Sequence, residues 1–496
     1  MTRKFTEQEI VRREKLNNLI EMGRNPQDET FKPNVSFKEL FEKYDSFSKE
    51  QLQEQPTENY KIAGRAMMVR DQGKAMFIVI KDFTKTSQAY VRKDSVSEQD
   101  WNVMSNVDLG DIVGIEGTIM KTNTGELTVR ANSATIITKS LRPLPEKFHG
   151  LNDIEERYRR RYVDLIVNEE SKEVFEKRSL IVSEIRNYLN EKGFMEAETP
   201  VLQSVSGGAS AKPFETYHNT LDMDLTLRIA TELHLKRLIV GGFPKVYELG
   251  RIFRNEGISN RHNPEFTSIE LYEAFGDMQS MLELTEDLIN HVAVKVNGTE
   301  EIVYGDTNVS LKKPFKRNEM VDLINEVTGI NFNEITSFEE AVKIAKDNGV
   351  KLEKHHNSIG YIINEFFEQK AEETLIQPTF VTGYPIEVSP LAKKRKGSDA
   401  ITDRFELFIG AREYANAFSE LNDADDQYER FLNQLREKES GNDEATDMDI
   451  DFVEALETGM PPTGGMGLGI DRLVMLLTNS PSIRDVILFP HQRNKN

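Results

Sequence analysis

Five short runs rich in apolar residues lie between about residues 60 and 143. The runs cover residues 62–69, 75–80, 88–91, 111–119 and 126–130, and glycines stand in several of the turns between them. Short runs of this kind, separated by turn residues, predict β-strands, in which successive side chains point to opposite faces. Five such strands in so short a segment predict a small closed barrel.

Two kinds of small barrel fit this pattern, the oligonucleotide-binding (OB) fold and the SH3-like barrels, and we favour the OB-fold. Residues 6–23 predict an amphipathic helix, whose polar side is either solvated or an arm that contacts phosphates. Residues 24–58 are polar with scattered prolines and predict a linker with a short helix. The apolar side of the first helix is predicted to consist of Ile10, Leu16, Leu19, Ile20 and Met22, and the polar side to carry Arg12, Arg13 and Lys15.

A different pattern follows the proline-containing segment 141–145. Residues 168–192 predict a long helix that ends at Gly193, and residues 194–200 predict a strand stopped by Pro200. Helical periodicity returns at 277–297 and 315–372, while the other segments alternate strands and loops without a regular βαβ rhythm. We therefore predict an α+β protein in which a large antiparallel sheet is flanked by helices. The predicted domains are 1–59 (helix and linker), 60–145 (barrel) and 146–496 (catalytic domain, with a helical insertion around 315–372).

Composition narrows the possible chemistry. The chain has 496 residues, no cysteine and eight histidines, which excludes disulfides, thiolate zinc sites and cysteine nucleophiles. Any metal is then expected to be a hard cation held by carboxylates, such as Mg²⁺. No apolar run approaches the length of a membrane span, and the polar N-terminus is unlike a secretion signal, so a cytoplasmic location is expected.

The net charge of −20 is unevenly distributed. Residues 1–150 carry 23 Lys and Arg against 22 Asp and Glu, whereas residues 151–496 carry 40 against 61. The acidity therefore belongs to the later part of the chain, and a nucleic acid can still dock on a basic face near the N-terminus.

A candidate site is predicted on a hairpin whose strands are residues 246–256 and 265–275. Side chains alternate along a strand, so Arg254 and Glu256 share one face. On the partner strand Phe266, Glu270 and Tyr272 share a face, and a glutamate in the middle of a strand is uncommon. A solvated face also explains this pattern, but the nearby Arg–x–Glu and the histidine in the loop favour a site.

A second predicted hairpin turns at Gly410-Ala411, which places Glu413 opposite Phe408 and on the same face as Glu406. Two neighbouring carboxylates repel each other unless a cation lies between them, although two solvated glutamates also fit the pattern. Asn416, Phe418 and Glu420 alternate onto the other face. They join Glu413 in one site only if a β-bulge near 414–415 resets the alternation.

Three segments resemble the signature motifs of class II aminoacyl-tRNA synthetases. The helix and strand that end at Pro200 resemble motif 1, Phe253-Arg254-Asn255-Glu256 with Phe266 resembles motif 2, and the segment 467–472 (GLGIDR) resembles motif 3. Residues 206–214 (SGGASAKPF) and 418–423 (FSELND) closely resemble bacterial lysyl-tRNA synthetases. The resemblance covers essentially the whole chain, and a barrel before the catalytic domain is similar to the subgroup for lysine, aspartate and asparagine.

The resemblance implies activation of L-lysine with ATP to lysyl-adenylate and pyrophosphate, followed by transfer of lysine to the 3′ end of tRNA(Lys). It implies that Arg254 holds the α-phosphate and the lysine carboxylate, and that Arg472 lies near the γ-phosphate, so both are the predicted catalytic residues. Glu406 and Glu413 would hold Mg²⁺ that bridges the phosphates.

The resemblance also implies the rest of the ATP site. Glu256 would accept a hydrogen bond from the adenine amino group, and Phe266 would stack on adenine with the Arg472 guanidinium on its other face. His262 and Asn263 would reach the outer phosphates.

A lysine substrate requires carboxylates for its ammonium groups and apolar side chains along its methylene stem. The predicted pocket offers acidic and aromatic residues of this kind, which disfavours the aspartate and asparagine enzymes. The implied lysine-binding residues are Gly208, Glu232, Glu270, Tyr272, Asn416, Phe418 and Glu420.

The barrel is implied to read the tRNA anticodon. Phe77 would stack on an anticodon base with Gln88 nearby, and Arg65, Lys74 and Glu126 are further candidates. Phe77 is otherwise a core residue, but alternation places it on the face opposite Met76 and Ile78. Motif 1 implies a homodimer.

Four alternative functions remain open from the sequence. An enzyme that attaches lysine to a protein is disfavoured by the intact barrel, and the aspartate or asparagine enzymes are disfavoured by the acidic pocket. A non-catalytic nucleic-acid-binding relative would lose Arg254, Glu256, Glu413 or Arg472, and all four are present. A carboxylate-metal nuclease would not require the glycines of motif 3.

Overall fold

The computed structural model describes residues 3–28, 30–55, 57–145, 151, 153–439 and 447–494. It divides into two compact units, Met1–Gly150 and Leu151–Asn496. The boundary predicted between residues 145 and 146 adjoins 146–150, which lie outside the described ranges. Within those ranges no helix is both long enough and apolar enough to cross a membrane.

The first unit contains the five-stranded closed barrel predicted from the sequence, with strand order β1-β2-β3-β5-β4. Alternate residues of β2 and β3 are buried, which gives the barrel its apolar interior. The strands are β1 Tyr60–Asp71, β2 Ala75–Lys81, β3 Thr86–Arg92, β4 Ile112–Lys121 and β5 Leu127–Thr138. The helices of this unit are α1 Glu7–Glu21, α2 Phe37–Tyr44, α3 Lys49–Glu54 and α4 Glu98–Met104.

Helix α1 forms where it was predicted, but the prediction of its two faces is only partly right: Leu19 of the apolar side is buried in the core, as predicted. Ile10 and Ile20 are 45% and 47% exposed, whereas Arg12 is buried. The Arg12 guanidinium donates hydrogen bonds to the carbonyls of Leu109 and Ser140 at 3.0 and 2.7 Å. This helix is therefore attached by an arginine that satisfies backbone acceptors, and hydrophobic periodicity does not reveal such an attachment.

The second unit contains the remaining elements, and the long helix predicted at 168–192 is α7. Its helices are α5 Ile154–Arg159, α6 Arg161–Val167, α7 Glu169–Glu191, α8 Glu232–Val240, α9 Met278–Asn297, α10 Met320–Thr328, α11 Phe338–Asp347, α12 Ile359–Phe366, α13 Ala424–Glu439, α14 Ile450–Gly459, α15 Ile470–Leu477 and α16 Ile483–Val486. Its strands are β6 Met195–Glu196, β7 Leu202–Gln203, β8 Glu215–His218, β9 Met223–Leu227, β10 Lys245–Phe253, β11 Glu265–Ala274, β12 Glu301–Tyr304, β13 Thr307–Ser310, β14 Lys316–Glu319, β15 Thr379–Thr382, β16 Arg404–Phe408, β17 Glu413–Ser419 and β18 Thr463–Gly469.

The large sheet predicted from the sequence has eight strands in the order β14-β15-β16-β17-β18-β11-β10-β6. Its six central strands are antiparallel, but both edge strands, β6 and β14, pair in parallel. The predicted α+β class is confirmed, while a purely antiparallel sheet is wrong at the two edges. The strand predicted over 246–256 ends at Phe253, so Arg254 and Glu256 lie in the connection that follows it.

The predicted β-bulge is confirmed in the hairpin β16–β17. Phe408 pairs with Glu413, but Leu407 pairs with Ala415, so Tyr414 is the extra residue. The connection is the two-residue turn Gly410-Ala411, in which both residues have positive φ angles. Because the bulge resets the alternation, Asn416 becomes the direct partner of Glu406.

Candidate active site

A cavity of about 630 Å³ lies over the central strands of the second unit. It brings together all of the site residues that the sequence predicted in this unit. They are Gly208, Glu232, Arg254, Glu256, His262, Asn263, Phe266, Glu270, Tyr272, Glu406, Glu413, Asn416, Phe418, Glu420 and Arg472.

Strand β18 forms the floor of this cavity because its ligand-facing positions carry no side chain. Gly465 and Gly467 alternate with Met466 and Leu468, whose side chains are buried in the core on the other face. Gly467 is paired with Glu270 on β11 and with Asn416 on β17. A ligand can therefore contact the backbone of β18 between two polar side chains, and only glycine leaves this space open.

Arg254 stands at the edge of the cavity, directly after β10. Its backbone amide donates to the Pro264 carbonyl at 2.9 Å, which extends the pairing of the hairpin by one residue. Its guanidinium donates to the Ile229 carbonyl at 3.4 Å and lies 5.3 Å from the centroid of the Phe266 ring. These contacts leave most of the five donors of this cation for a ligand.

The loop between β10 and β11 places the other predicted ATP-binding residues on the cavity lining. Glu256 is exposed, as its predicted role requires. The ring of His262 contacts the Ser259 hydroxyl at 3.1 Å, and burial together with Arg472 lowers the pKa of this histidine. Asn263 is buried, and its side-chain amide donates to the Glu265 carbonyl at 2.6 Å, so one of its polar groups is already engaged.

Arg472 reaches across the cavity from the first turn of α15. Its guanidinium donates to the Glu413 carbonyl at 2.6 Å and to the Glu413 carboxylate at 3.0 Å. The neighbouring Asp471 points into the core, where it accepts from the Thr267 amide at 2.7 Å and from Arg178 of α7 at 2.5 Å. Asp471 therefore ties the three motif segments together and fixes the direction of Arg472.

Glu406 and Glu413 line the same part of the cavity. Burial raises the pKa of Glu406 to about 7, the neighbouring Arg404 opposes this shift, and the Glu413 carboxylate adds to it. Arg404 donates to Glu406 at 2.5 Å and to the Asn416 side-chain oxygen at 2.9 Å. The Tyr384 hydroxyl donates to the other Glu406 oxygen at 2.9 Å. Hydrogen bonds thus hold Glu406 in place, and a cation there would relieve its repulsion with Glu413.

The opposite end of the cavity is acidic and aromatic. Burial raises the pKa of Glu270 to about 7, and the Glu232 carboxylate adds to this shift. Glu270 accepts from the Thr231 amide at 3.2 Å and contacts the Tyr272 hydroxyl at 3.5 Å. Glu420 is 1% exposed. These glutamates place carboxyl groups at a buried end of the cavity.

Two glycines shape this acidic end. A Cβ on Gly465 would lie well inside van der Waals contact with the Glu420 carboxylate and 2.5 Å from the Tyr272 ring. Gly208 has a φ angle of +89°, and a Cβ there would lie 3.0 Å from the Ala230 Cβ and 3.2 Å from the Glu232 Cβ. Both positions require glycine, because the chain passes close to the pocket walls.

Comparison with known proteins decides which family has this arrangement. Residues 153–493 match the family of class II tRNA synthetases (D, K and N), and residues 60–137 match the OB-fold nucleic acid binding domain. The chain is 56% identical over 496 residues to the lysine–tRNA ligase of Staphylococcus epidermidis, with all of both chains covered. It is 57% identical over 491 residues to that of Bacillus cytotoxicus, covering 99% of this chain and 98% of the relative. The chain belongs to the class II lysine–tRNA ligases.

Phe77, which the sequence predicted to stack on an anticodon base, lies on the outer face of the OB-fold. Phe77 is half-buried on this face and stacks on Tyr90, with ring centroids 4.5 Å apart. The Gln88 side-chain amide donates to the Glu126 carboxylate at 2.8 Å and to the Thr128 hydroxyl at 2.9 Å. Two of the predicted anticodon residues, Gln88 and Glu126, therefore contact each other; Gln88 lies on β3 two residues before Tyr90, and Glu126 directly precedes β5, which pairs with β3.

The structure does not bring Arg65 to this group. Arg65 pairs with Lys81 at the far end of β2, and its guanidinium donates to the Gly110 carbonyl at 2.7 Å. Lys74 lies in the β1–β2 turn. The residue directly opposite Phe77 is Arg70, which sequence reasoning missed because the pairing register of β1 and β2 is not visible in the sequence.

Sequence reasoning also missed two residues that line the cavity, Arg404 and Tyr384, and one buried behind its lining, Lys236. Arg404 and Tyr384 hold Glu406, and Lys236 contacts two of the predicted pocket glutamates. Arg404 lies two residues before Glu406 on the same strand, so alternation already placed the two side chains on the same face. Lys236 gave no signal, since a lysine one turn after a glutamate is typical of a solvated helix face.

Proposed function

We propose that this lysine–tRNA ligase joins L-lysine to the AMP part of ATP, with release of pyrophosphate, and passes lysine from this adenylate to the 3′ end of tRNA(Lys), with release of AMP. One observation carries the proposal. A single cavity has two guanidinium groups, those of Arg254 and Arg472, over a glycine floor, and its other end carries buried carboxylates beside Tyr272 and Phe418. This is the charge pattern of a triphosphate next to an amino acid with a cationic side chain.

The first step needs no general base. The carboxylate of lysine is ionised at neutral pH, so it can attack the α-phosphorus directly while the bond to pyrophosphate breaks. Arg254 is proposed to bind both the lysine carboxylate and the α-phosphate. Bringing these two anions together is costly in water, and a fixed guanidinium lowers that cost most where negative charge accumulates in the transition state.

The ATP end is proposed to be held by the β10–β11 loop and α15. Phe266 offers a ring face for adenine, and the exposed Glu256 carboxylate accepts from the adenine amino group. Arg472 and His262 face the outer phosphates. Binding of ATP would require Arg472 to exchange its contacts with Glu413 for contacts with the ligand.

Mg²⁺ is proposed to bind at the ATP end of the cavity, where Glu406 and Glu413 would hold it. Among the described residues no group of three or more His, Cys, Asp or Glu side chains is arranged to hold a metal alone. Glu406 and Glu413 nevertheless fit Mg²⁺, which typically takes one or two carboxylates and completes its shell with phosphate oxygens and water. When bound, the ion would neutralise phosphate charge. Arg404 and Tyr384 keep Glu406 in position for it.

The outer face of the OB-fold is proposed to bind the anticodon. The Phe77–Tyr90 stack offers an aromatic surface for a base, and Gln88, Glu126 and Arg70 lie on the same or neighbouring strands with polar groups for base edges or phosphates. Residues 1–150 are nearly neutral in net charge, whereas the second unit is acidic. The first unit therefore repels the phosphates of an RNA less than the second unit does.

A homodimer is also proposed, through the motif 1 segment and the chain that directly follows it. The chain after α7 exposes the apolar side chains of Met195, Val201, Leu202 and Leu221. Exposed apolar side chains in one segment are typical of an interface. Sedimentation of the purified chain is expected to give twice its mass of 56.8 kDa, and Leu202→Asp is expected to shift the population toward the monomer. The cytoplasmic location stays a prediction.

The experiment that tests the proposed function is charging of tRNA transcripts with radioactive lysine. Transcripts with a lysine anticodon are expected to accept lysine, and the same transcripts with an aspartate anticodon are expected to be charged much more slowly. Equal charging of both would contradict anticodon reading by the OB-fold. No charging of either would contradict the transfer step.

A further inference from the structure

A buried lysine of the chain itself lies at the acidic end of the cavity and has no role in the function proposed above. Lys236 belongs to α8, one turn after Glu232, and its side chain is 0% exposed. Its ammonium lies 2.5 Å from the Glu232 carboxylate and contacts the Glu420 carboxylate as well. A buried ammonium is stable only with such partners, and the two carboxylates together raise the pKa of Lys236 although burial lowers it.

Aromatic rings complete the surroundings of this ammonium. It lies 5.5 Å from the centroid of Phe418, 5.8 Å from that of Phe452 and 5.9 Å from that of Tyr272. At these distances the ring faces add attraction for a cation. Glu232, Glu420, Tyr272 and Phe418, which are expected to receive the substrate, therefore already surround one ammonium.

The number of charges at this end explains why an internal cation is needed. Glu232, Glu270 and Glu420 are close enough to influence one another, and burial together with Glu232 and Glu270 raises the pKa of Glu420 against the opposing effect of Lys236. Three carboxylates without a cation would bind a proton and lose part of their charge. Free lysine brings only two ammonium groups to this end, since its carboxylate is assigned to Arg254.

We propose that Lys236 is a positioning residue of the amino-acid pocket, whose ammonium holds the Glu232 and Glu420 carboxylates and balances one of the three negative charges. Two negative charges then remain for the two ammonium groups of the substrate. This inference rests on the proposed function. It also gives Lys236 a part in specificity, because a pocket of this net charge matches a dicationic amino end and repels an acidic side chain.

The groups that face the cluster from neighbouring elements are few. Glu270 and Tyr272 face it from β11, and Arg254 acts on Glu270 from beyond. Since Lys236 opposes the raised pKa of Glu420, removing its charge should raise that pKa further, because no adjacent cation replaces it. A merely structural lysine would not change the pH dependence of lysine binding.

Lys236→Met tests this role, because methionine has a similar length and no charge. The Michaelis constants for lysine and ATP are measured by ATP–pyrophosphate exchange between about pH 6.5 and pH 8.5. At neutral pH the constant for lysine is expected to rise by about tenfold or more while that for ATP stays within about twofold. The rise for lysine is expected to shrink as the pH increases, since the carboxylates regain their charge.

Lys245→Met is the matched control. Lys245 on β10 pairs with Glu273 on β11 at 2.7 Å and does not line the cavity. Both Michaelis constants are therefore expected to stay unchanged. An unchanged constant for lysine in Lys236→Met would overturn the inference. Equal increases for lysine and ATP would also overturn it, because they would indicate a general loss of packing.

Lys236→Arg carries the test if Lys236→Met does not fold. It keeps the positive charge, so the pH profile of lysine binding is expected to follow that of the unaltered chain, and a displaced profile would overturn the inference. Failure of the unaltered chain to exchange with lysine would instead contradict the proposed function, before any variant is compared.

Discussion

Glu270 on β11 and Asn416 on β17 face each other across a single residue, Gly467 of β18. Nothing but the backbone of β18 lies between these two polar side chains. The next pair along the strands, Tyr272 and Phe418, is separated in the same way by Gly465. The glycine-rich motif therefore leaves a channel between two walls.

Gly467→Val is expected to fill this channel. A Cβ at Gly467 has its nearest neighbours at 3.8 and 3.9 Å, so a side chain fits the backbone and a β-branched residue suits a strand. We expect ATP–pyrophosphate exchange to fall by about 100-fold or more while the midpoint of thermal unfolding changes by only a few degrees. Full activity in this variant would show that the substrate does not lie over β18.

Arg254→Ala is expected to abolish exchange and leave the fold intact. The guanidinium makes only a long hydrogen bond to Ile229 and a contact with the Phe266 ring, so its loss costs little packing. Exchange is expected to fall by about 1,000-fold or more, as when a transition-state donor is removed. Arg251→Ala is the control, since Arg251 pairs with Glu265 at 3.6 Å on the surface. Retained exchange in Arg254→Ala would overturn its assignment.

Lysine binding is expected to strengthen as the pH rises from about 6 to about 8. Glu270 has a pKa of about 7 because it is buried near Glu232, and it must be ionised to attract an ammonium. Glu270→Gln is expected to flatten this dependence and to weaken lysine binding more than ATP binding. Isothermal titration of lysine and ATP at several pH values measures both effects, and equal losses for the two ligands would contradict the pocket.

The raised pKa of Glu270 also makes the free energy of unfolding depend on pH. The folded state holds a proton on Glu270 between pH 4.5 and about 7, where the unfolded state has lost it. The free energy of unfolding therefore falls as the pH rises through this window, by on the order of 1–3 kcal/mol from this group. Denaturant titrations should show that Glu270→Gln lacks this decline. An identical decline in the variant would assign it to other groups.

Phe77→Ala is expected to weaken tRNA charging without changing exchange. Stacking of one base on an aromatic ring contributes about 1–3 kcal/mol, so the Michaelis constant for tRNA should rise by about 5- to 100-fold. Exchange in the same preparation, which requires no tRNA, is the internal control. Arg70→Ala is expected to show a weaker effect in the same direction. Unchanged charging by Phe77→Ala would remove the barrel face from the anticodon site.

Periodicity predicted those features of the fold that depend on neighbouring residues in the chain. Alternation placed Phe77 on the outer face of the barrel, and a conflict between alternation and chemistry predicted the bulge that the structure shows at Tyr414. The attachment of α1 was predicted wrongly because it depends on Arg12 and two distant carbonyls. Arg70 and Lys236 were missed for the same reason, since their partners are set by register and tertiary packing.

The sequence predicted which residues belong to the site, but not which of them contact each other. The motifs gave Arg254 and Arg472 and the second hairpin gave Glu413, whereas the ion pair between Glu413 and Arg472 depends on the docking of α15 beside β17. That docking is fixed by Asp471, whose carboxylate bonds to both Thr267 and Arg178. The sequence alone does not show that the Asp471 side chain points into the core, away from the cavity that Arg472 enters.

The most direct test of the account is ATP–pyrophosphate exchange by the purified chain with lysine, aspartate or asparagine, in the absence of tRNA. The cavity predicts exchange with lysine alone, because its amino-acid end carries Glu232, Glu270 and Glu420, and the Lys236 ammonium beside them is already paired with Glu232 and Glu420. Exchange with aspartate or asparagine, or with none of the three, would contradict the central claim that this cavity activates lysine.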